Sequence, residues 1–339
     1  MKPTDFAVYV TKFLGSYLPG RIGASTNTVN SYRDVITIFI KYCHDEKDIT
    51  PEKLKIKHCT SELITYFLLW LEETRGCTTS TRNQRLGVIR SFFSYLQVEE
   101  PEYMLQCQQI LAIPYKKHRK PVISYLSIDA LKMLFSMPDT TQANGRRDLT
   151  LLTIMYDTGG RVQEIADLTV GDVRLEAPAT IQLTGKGSKS RIVPLVPQTC
   201  KILKDYMRER NLLSAEKSAL PLFCNKWKNK LTRSGISYIL EKYVSMAHQQ
   251  EPLCVPENIT PHCLRHSKAM HLLQGGVNLI YIRDLLGHVN IKTTEIYARV
   301  DTDMKRRALE NAAKNSPSPE LPIWHKDEGL LLWLRNLGK

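Results

Sequence analysis

The chain has 339 residues, of which 42% are hydrophobic, so it is long enough for two domains with their own cores and is not a largely disordered chain. Its 47 Lys and Arg outnumber its 34 Asp and Glu, giving a formal net charge of +13 at pH 7. The eight cysteines form no C-x-x-C pair, no apolar run is long enough to span a bilayer, and the first residues lack a signal-peptide pattern, so we expect a cytoplasmic protein without disulfides, zinc or membrane contact.

The positive charge is shared by both halves of the chain. Basic residues exceed acidic ones by five in residues 1–120 and by eight in residues 121–339. Two positive halves are typical of a protein that holds a long polyanion, such as duplex DNA, from two sides. Charge alone leaves a second interpretation open, which is a soluble protein that happens to be basic.

The sequence of residues 1–113 predicts only helices, because its apolar residues recur at helical spacing. Pro19 and Gly20 are expected to end the first helix. On the fourth helix, Arg82, Arg85 and Arg90 lie off the apolar face and are candidate DNA contacts. We expect a compact helical bundle. The predicted helices cover 4–18, about 25–43, about 60–74, about 79–96 and about 102–111.

Residues 114–121 have the composition of an extended linker. Pro114 and Pro121 bracket four basic residues, and proline disfavours continuation of a helix. We expect the linker to lie along a phosphate backbone, with plain solvated charge as the alternative. The basic residues are Lys116, Lys117, Arg119 and Lys120.

The second half predicts helices around one β-hairpin. A helix begins at Ser127, and β-prone runs on either side of a Gly, Lys and Ser turn are typical of a hairpin. Helices resume at Gln198 and continue to about Lys314, with a break at the Ser-Pro-Ser-Pro sequence that follows. Beyond the first helix, the predicted elements are an apolar helix over 147–158, strands over 180–184 and 190–195, a charged helix over about 303–314 and an amphipathic stretch over 326–337.

Four segments of the second half, followed by Tyr297, carry the residues from which we infer chemistry. In chain order they are TGGRVQEI at 158–165, GKGSKSRIVPL at 185–195, HCLRH at 262–266 and LLGH at 285–288. Together they resemble the tyrosine recombinase family, which includes the phage integrases and the Xer-like recombinases. The motifs cover about residues 122–300, and the N-terminal bundle resembles the family only in architecture.

Two arginines are the predicted phosphate ligands. Arg161 and Arg265 can each present a planar fork of donors to the non-bridging oxygens of one phosphate, which would stabilise a pentacoordinate transition state without a metal ion. Glu164 lies three residues after Arg161 and can orient its guanidinium; an ordinary surface pair is the alternative. Gly160 departs from the family pattern, which has a larger apolar residue there, and we expect some loss of local rigidity.

The predicted hairpin turn supplies the candidate general acid. Lys186 lies between two glycines and can protonate a leaving 5′ oxygen. Lys189 is the second candidate and Arg191 a third, while a simple phosphate contact is the alternative for all three. By the motif, Lys186 comes first.

The histidines divide into predicted site residues and structural ones. His262 and Arg265 are three residues apart, so both can point into one pocket. The resemblance makes His262 a proton-transfer or phosphate-binding residue and gives His288 a hydrogen-bonding role. We expect His266 to be structural.

Tyr297 is the predicted nucleophile, because it lies nine residues after His288 as in the family. A tyrosine hydroxyl with its ordinary pKa of about 10 needs nearby cations that favour the phenolate. Tyr281 precedes His288 in an apolar segment, and we expect it to be a core residue.

The resemblance implies a mainly α fold with a small β-sheet, built as a two-domain, C-shaped DNA clamp. The expected parts are a helical core-binding (SAM-like) domain over 1–113, the linker over 114–121, a catalytic domain over 122–315 and a tail over 316–339. The tail is expected to dock on a neighbouring protomer, or alternatively on its own catalytic domain.

The implied activity is site-specific recombination of double-stranded DNA through a 3′-phosphotyrosyl intermediate. The implied assembly is a homotetramer on two DNA sites, with no cofactor and no small-molecule substrate. Integration or transposition of a mobile element, dimer resolution and inversion all fit, and without a preceding arm-binding domain we expect a simple Xer-like or transposon-type enzyme. Two alternatives remain open, a catalytically idle DNA-binding regulator and a monomeric type IB topoisomerase-like enzyme.

Overall fold

The chain forms two compact units, Met1–Pro121 and Val122–Lys339. The computed structural model describes residues 2–117, 124–185, 187, 189–288, 290–300, 306 and 328–336. Helices dominate both units, and the one small sheet lies in the second unit. The predicted fold class, mainly α with a small sheet, is confirmed.

The first unit is a bundle whose helix starts are set by local capping. Thr4, Ser25, Thr60 and Thr78 each accept a hydrogen bond from a backbone N–H in the first turn, which satisfies a donor that has no partner within the helix. Between the helices, Phe13, Phe39, Phe67 and Phe92 form part of an aromatic core. The α-helices are α1 (Asp5–Lys12), α2 (Thr26–Lys47), α3 (Ser61–Glu73), α4 (Thr79–Glu99) and α5 (Met104–Leu111).

The predicted end of the first helix at Pro19 is wrong. The chain continues from α1 as a π-helical segment, Phe13–Arg21, that includes Pro19. Within it Phe13 and Leu18 are buried in the core of the unit. Wider turns suit this stretch because proline has no N–H to donate, and packing of the two apolar side chains stabilises the continuation.

Arg82 is buried, which corrects its predicted contact with DNA. Its side chain is 5% exposed, and Nη1 donates to Oδ1 of Asn83 (3.0 Å) and to the carbonyl of Pro114 (3.2 Å). Asn83 in turn donates to the Lys116 carbonyl and accepts from the Lys116 N–H. Both of these contacts lie at or beside the start of the linker, so Arg82 acts here as an anchor for that segment.

The basic residues around this anchor also have partners within the unit. Lys116 pairs with Glu72 (2.6 Å), and the guanidinium of Arg90 lies 4.9 Å from the ring centroid of Tyr115. Arg85 donates to the sulfur of Cys77. The remaining linker residues divide into Lys117, which is exposed, and Arg119 and Lys120, which lie outside the described residues.

The second unit surrounds its three-stranded sheet with helices. The sheet is antiparallel in the order β1-β2-β3, and the predicted hairpin pairs Ile181 with Val193. Strand β1 was not predicted, because two residues are too few to show an alternation. The elements are α6 (Ile128–Ser136), α7 (Ala143–Thr158), α8 (Val162–Asp167), β1 (Val173–Arg174), β2 (Thr180–Thr184), β3 (Ser190–Pro194), α9 (Pro197–Glu209), α10 (Arg233–Gln250), α11 (Pro261–Gln274), α12 (Leu279–Leu286), α13 (Glu295–Val300) and α14 (Glu328–Asn336).

The core of this unit holds the sheet and the central helices together. Ile181 and Leu183 of β2 and Val193 of β3 are buried against helices, including Leu151 of α7 and Leu240 of α10. Apart from Arg306, the predicted helix over 303–314 lies outside the described residues. Within the described ranges, no helix has both the length and the apolar content needed to cross a membrane.

Candidate active site

Three arginines converge on the carboxyl end of α12. The carbonyls of Leu285 and Leu286 accept from Nε of Arg191 (2.7 Å) and Nη2 of Arg265 (2.6 Å). The next carbonyl, that of Gly287, accepts from Nη2 of Arg161 at 3.3 Å. The last carbonyls of a helix have no partner within the helix, so these three orient guanidinium groups from three other parts of the unit.

Glu164 binds two of these arginines and is itself buried. Its Oε1 accepts from Arg161 Nη1 (2.8 Å), and its Oε2 accepts from Arg191 Nη2 (2.7 Å) and from the Arg161 N–H (2.9 Å). Burial opposes ionisation, but the hydrogen bonds and charges of Arg191 and Arg161 outweigh it and lower the pKa of Glu164 to about 2. The surface-pair alternative is wrong, because this carboxylate braces two arginines in the interior.

Arg191 has a different place from the one predicted. Only 12% of its side chain is exposed, and its guanidinium is engaged by Glu164 and the Leu285 carbonyl. These contacts are at odds with the predicted role in phosphate contact or general acid catalysis. They make Arg191 a support for Glu164, and sequence reasoning did not find this role.

Arg265 is buried under the same helix end. Besides Leu286 it donates to the Gly159 carbonyl at 2.6 Å, and Gly159 ends α7 in a left-handed conformation (φ 55°). Burial, then the charges of Arg161 and Arg191, lowers the pKa of Arg265 to about 10, so it stays protonated at neutral pH.

Gly160 borders the side chain of Ile165. A Cβ at position 160 would lie 2.7 Å from Cδ1 of Ile165, so that side chain fills the space a larger residue would need. The difference from the family pattern is thus matched by local packing.

The hairpin turn begins beside the Arg161–Glu164 pair. A Cβ at Gly185 would lie 2.8 Å from Oε1 of Glu164, which explains a glycine at this close approach. Gly185 N–H donates to the Lys189 carbonyl and closes the turn, and the Lys189 side chain is exposed. Lys186 lies outside the described residues.

Two predicted histidines face these cations. His288 follows Gly287 directly, and its Nδ1 lies 2.9 Å from the buried hydroxyl of Thr294. Burial and the charges of Arg265, Arg161 and Arg191 lower the pKa of His288 to about 4. His262 lies at the start of α11, where partial burial, then the charge of Arg265, lowers its pKa as well.

Tyr297 lies in the interior, where its hydroxyl contacts His266. The side chain is 1% exposed, and the hydroxyl is 2.7 Å from Nδ1 of His266. His266 is therefore the hydrogen-bond partner of the predicted nucleophile, a contact that the sequence did not predict. Its spacing of four from His262 on α11, where the two rings stack with centroids 6.2 Å apart, was the signal that could have identified it.

Tyr281 corrects another expectation. It lies on α12 but is 70% exposed, so it is not a core residue. The apolar residues of α12 cover only one face of the helix, and Ile282 and Leu286 are the ones buried on it.

Two family models together match most of the chain. Residues 21–101 match the N-terminal SAM-like domain of phage integrases, and residues 124–304 match the phage integrase family.

Similar proteins include a putative integrase/recombinase of Sinorhizobium fredii, y4rC, which is 33% identical over 99% of both chains. The tyrosine recombinase XerD of Staphylococcus epidermidis is 33% identical over 84% of this chain and 92% of its own. The chain therefore belongs to the phage integrase family, whose members are the tyrosine recombinases. Within that family it is a Xer-like site-specific recombinase.

Solved structures show the same fold. The XerH site-specific recombinase, bound to a palindromic difH substrate in a post-cleavage complex, superposes with a TM-score of 0.66 and 25% identity over 90% of this chain and 82% of its own. The Tn1549 transposon integrase in complex with transposon right end DNA has a TM-score of 0.69 over 90% of this chain and 99% of its own, and at 16% identity it shows the fold alone.

Proposed function

We propose that Tyr297 cleaves duplex DNA while Arg161 and Arg265 hold the reacting phosphate. The observation that carries this proposal is the convergence of both guanidinium groups on neighbouring carbonyls of α12, those of Gly287 and Leu286. Arg161 also keeps more than a third of its side chain exposed, so donors remain for a ligand. Two fixed forks of donors suit the charge of a pentacoordinate phosphorus.

The reaction is a balanced exchange of phosphate esters. The Tyr297 hydroxyl gives up its proton, for which His262 is the candidate acceptor, and its oxygen bonds to phosphorus. The bond from phosphorus to the 5′ oxygen breaks, and the leaving oxygen takes a proton to become a 5′-hydroxyl. Lys186 is the proposed donor of that proton, with Lys189 as second candidate. A 5′-hydroxyl of another strand then attacks the phosphotyrosine and releases Tyr297.

His262 and His288, whose pKa values are lowered by burial and by the nearby arginines, complete the proposed site. His262 is exposed beside Arg265 and is the proposed proton-transfer or phosphate-binding residue. His288 is held by Thr294, so its other ring nitrogen is the one left for a ligand, and we assign it a hydrogen bond to the phosphate.

A tetramer on two DNA sites is the proposed assembly, and the cytoplasm its proposed location. Leu332 and Trp333 of α14 are exposed, and large apolar side chains in water favour a protein contact. DNA carrying the repeats that flank the gene is the proposed substrate. Recombination assays with those repeats in direct or inverted orientation distinguish excision and resolution from inversion.

The test is a covalent trapping gel with Tyr297→Phe. The substitution removes one hydroxyl, so DNA binding should persist while the SDS-resistant adduct with a nicked substrate disappears. The wild type should form the adduct in excess EDTA as well as without it. Tyr281→Phe is the matched control, because it removes an exposed hydroxyl from the neighbouring helix, and it should form the adduct normally. An adduct formed by the Tyr297 variant would show that another residue is the nucleophile.

A further inference from the structure

A rigid basic turn lies between the core and α10 and is not part of the active site. Asn225 Oδ1 accepts from the N–H groups of Trp227 and Asn229, both at 3.0 Å, and the Asn225 N–H donates to the Asn229 carbonyl at 2.8 Å. Lys228 adopts a left-handed conformation (φ 64°) that closes the turn. We call residues 225–230 the basic turn.

Both ends of the basic turn are fixed to the unit. Before it Phe223 is buried, and after it Leu231 is buried and donates its N–H to the Phe223 carbonyl. Lys230 pairs with Asp167 at the end of α8. A turn held this way presents its tip in one conformation.

The tip presents an aromatic ring whose two sequence neighbours are lysines. Trp227 is 69% exposed, and Nζ of Lys226 lies 4.4 Å from its ring centroid. Lys228 is exposed as well. In the part of the chain that the structure describes, neither lysine forms an ion pair. A tryptophan held in water by a rigid turn points to a surface that is covered by a ligand.

A cavity of about 490 Å³ adjoins the tip and is also basic. Arg210 and Lys217 line it together with Lys226 and Lys228. Glu209 also lines the cavity, but its carboxylate pairs with Arg146 at 2.7 Å and so does not offset the charge of the lysines. The charge of this surface favours a polyanion over a protein partner.

We propose that the basic turn binds the sugar–phosphate backbone of duplex DNA outside the cleaved phosphate. Lys226 and Lys228 contact phosphates, and the Trp227 ring packs on deoxyribose between them. The proposal rests on the proposed function, since it takes as ligand the DNA that Tyr297 cleaves. The cavity residues Arg210 and Lys217 extend the contact.

The first experiment measures the salt dependence of binding to a 40-base-pair duplex of arbitrary sequence. Lys226→Ser with Lys228→Ser should lower the slope of log affinity against log salt by about 1.8, from about 0.9 for each phosphate contact. The matched control is Lys201→Ser with Lys204→Ser, which removes the same charge from exposed positions of α9 and should leave the slope unchanged. Equal slopes in the two variants would overturn the proposal.

The second experiment follows the ring itself. The difference in acrylamide quenching of tryptophan fluorescence between the wild type and Trp227→Phe is due to Trp227. That ring should be accessible to acrylamide in the free protein and protected when the protein is bound to the duplex. Trp227→Ala should weaken binding about tenfold without changing the slope, because the ring carries no charge.

The outcomes distinguish a failure of the basic-turn proposal from a failure of the proposed function. If Trp227 stays equally accessible with and without DNA while the wild type still forms the covalent adduct, the basic turn is not a DNA contact. If Trp227→Ala instead shifts the sedimentation coefficient of the protein without DNA, the surface is a protein contact. A wild type that binds no duplex contradicts the proposed function itself.

Discussion

Tyr297 and His266 are both held in their neutral forms, chiefly by burial. Burial raises the pKa of Tyr297, and the charge of Arg265 only partly opposes it. Burial, then the charges of His262 and Arg265, lowers the pKa of His266 to about 4. The proton therefore stays on the tyrosine oxygen, and the phenolate needed for attack is disfavoured in this position. In the proposed reaction, Tyr297 would exchange its contact with His266 for the phosphate before attack.

We expect Tyr297 to react faster with a modifying reagent when the imidazole of His266 is removed. In His266→Leu, loss of one buried hydrogen bond should speed acetylation of Tyr297 by N-acetylimidazole roughly fivefold, measured by mass spectrometry of the free protein. Tyr281 is the internal reference because it is exposed throughout. His266→Asn keeps an acceptor near the position of Nδ1 and should behave as the wild type. An unchanged ratio of Tyr297 to Tyr281 acetylation in the leucine variant would show that the contact does not retain the tyrosine.

Glu164 makes the stability of the second unit depend on pH in a defined direction. Its pKa in the folded chain, about 2, is below its ordinary value of 4.5. The ionised carboxylate therefore stabilises the fold fully above about pH 4.5, and this contribution is lost as the pH falls toward 2. Glutamine does not ionise, so Glu164→Gln lacks this pH-dependent contribution to the free energy of unfolding.

Denaturant unfolding at pH 6 and pH 3 measures this difference. Between the two pH values, the wild type should lose about 2 kcal/mol more of its unfolding free energy than Glu164→Gln does. Glu241→Gln, an exposed position on α10, is the control and should follow the wild type. Equal losses in all three proteins would mean that Glu164 is not held ionised by the arginines.

At the scale of elements, the end of α12 positions three arginines, Arg161, Arg191 and Arg265. Gly287 lies in a left-handed conformation (φ 63°) that ends the helix, and its missing Cβ leaves room for Arg191. A Cβ there would lie 3.0–3.3 Å from three atoms of the Arg191 side chain. Gly287 therefore serves both the helix end and the position of the arginine that supports Glu164.

Gly287→Ala and Gly276→Ala separate these two effects. Both positions have a left-handed φ, and alanine should destabilise each by about 1 kcal/mol, seen as a lower Tm. Nothing lies within 4 Å of a Cβ at Gly276, so only the Gly287 variant displaces Arg191. Adduct formation should fall at least about tenfold in Gly287→Ala and stay normal in Gly276→Ala. Similar rates in the two variants would show that the arrangement of the arginines does not depend on Gly287.

At the scale of the whole molecule, the tail tests the proposed assembly. Helix α14 exposes Leu332 and Trp333, and burying each would contribute about 1.5–3 kcal/mol. If the tail docks on a neighbouring protomer, deleting 317–339 should leave binding to one DNA site intact and abolish cooperative assembly and recombination. Native gels and recombination assays measure both.

Leu332→Ala with Trp333→Ala keeps the length of the tail and should reproduce the defect in assembly. A truncated protein that still forms the tetramer and recombines would show that the tail does not join protomers. Loss of stability in an isolated protomer would instead place the tail on its own catalytic domain.

Local patterns in the sequence determined most of the secondary structure. Caps such as Thr78, apolar residues at helical spacing and the glycine-rich turn depend on neighbours within a few residues, so the helices and the hairpin could be predicted. The exceptions were Pro19, where core packing outweighed the helix-breaking tendency, and β1, which is too short for a pattern.

The tertiary structure decided what the charged and aromatic residues do. The sequence by itself determined the family motifs and the pairing of Arg161 with Glu164, because these lie close together along the chain. The burial of Arg82, the support from Arg191 and the contact of Tyr297 with His266 join residues 27 or more positions apart. Exposure and partners across such separations arise only when helices pack. Spacing along the chain can place His266 on one helix face with His262, but it does not show which distant residue either one contacts.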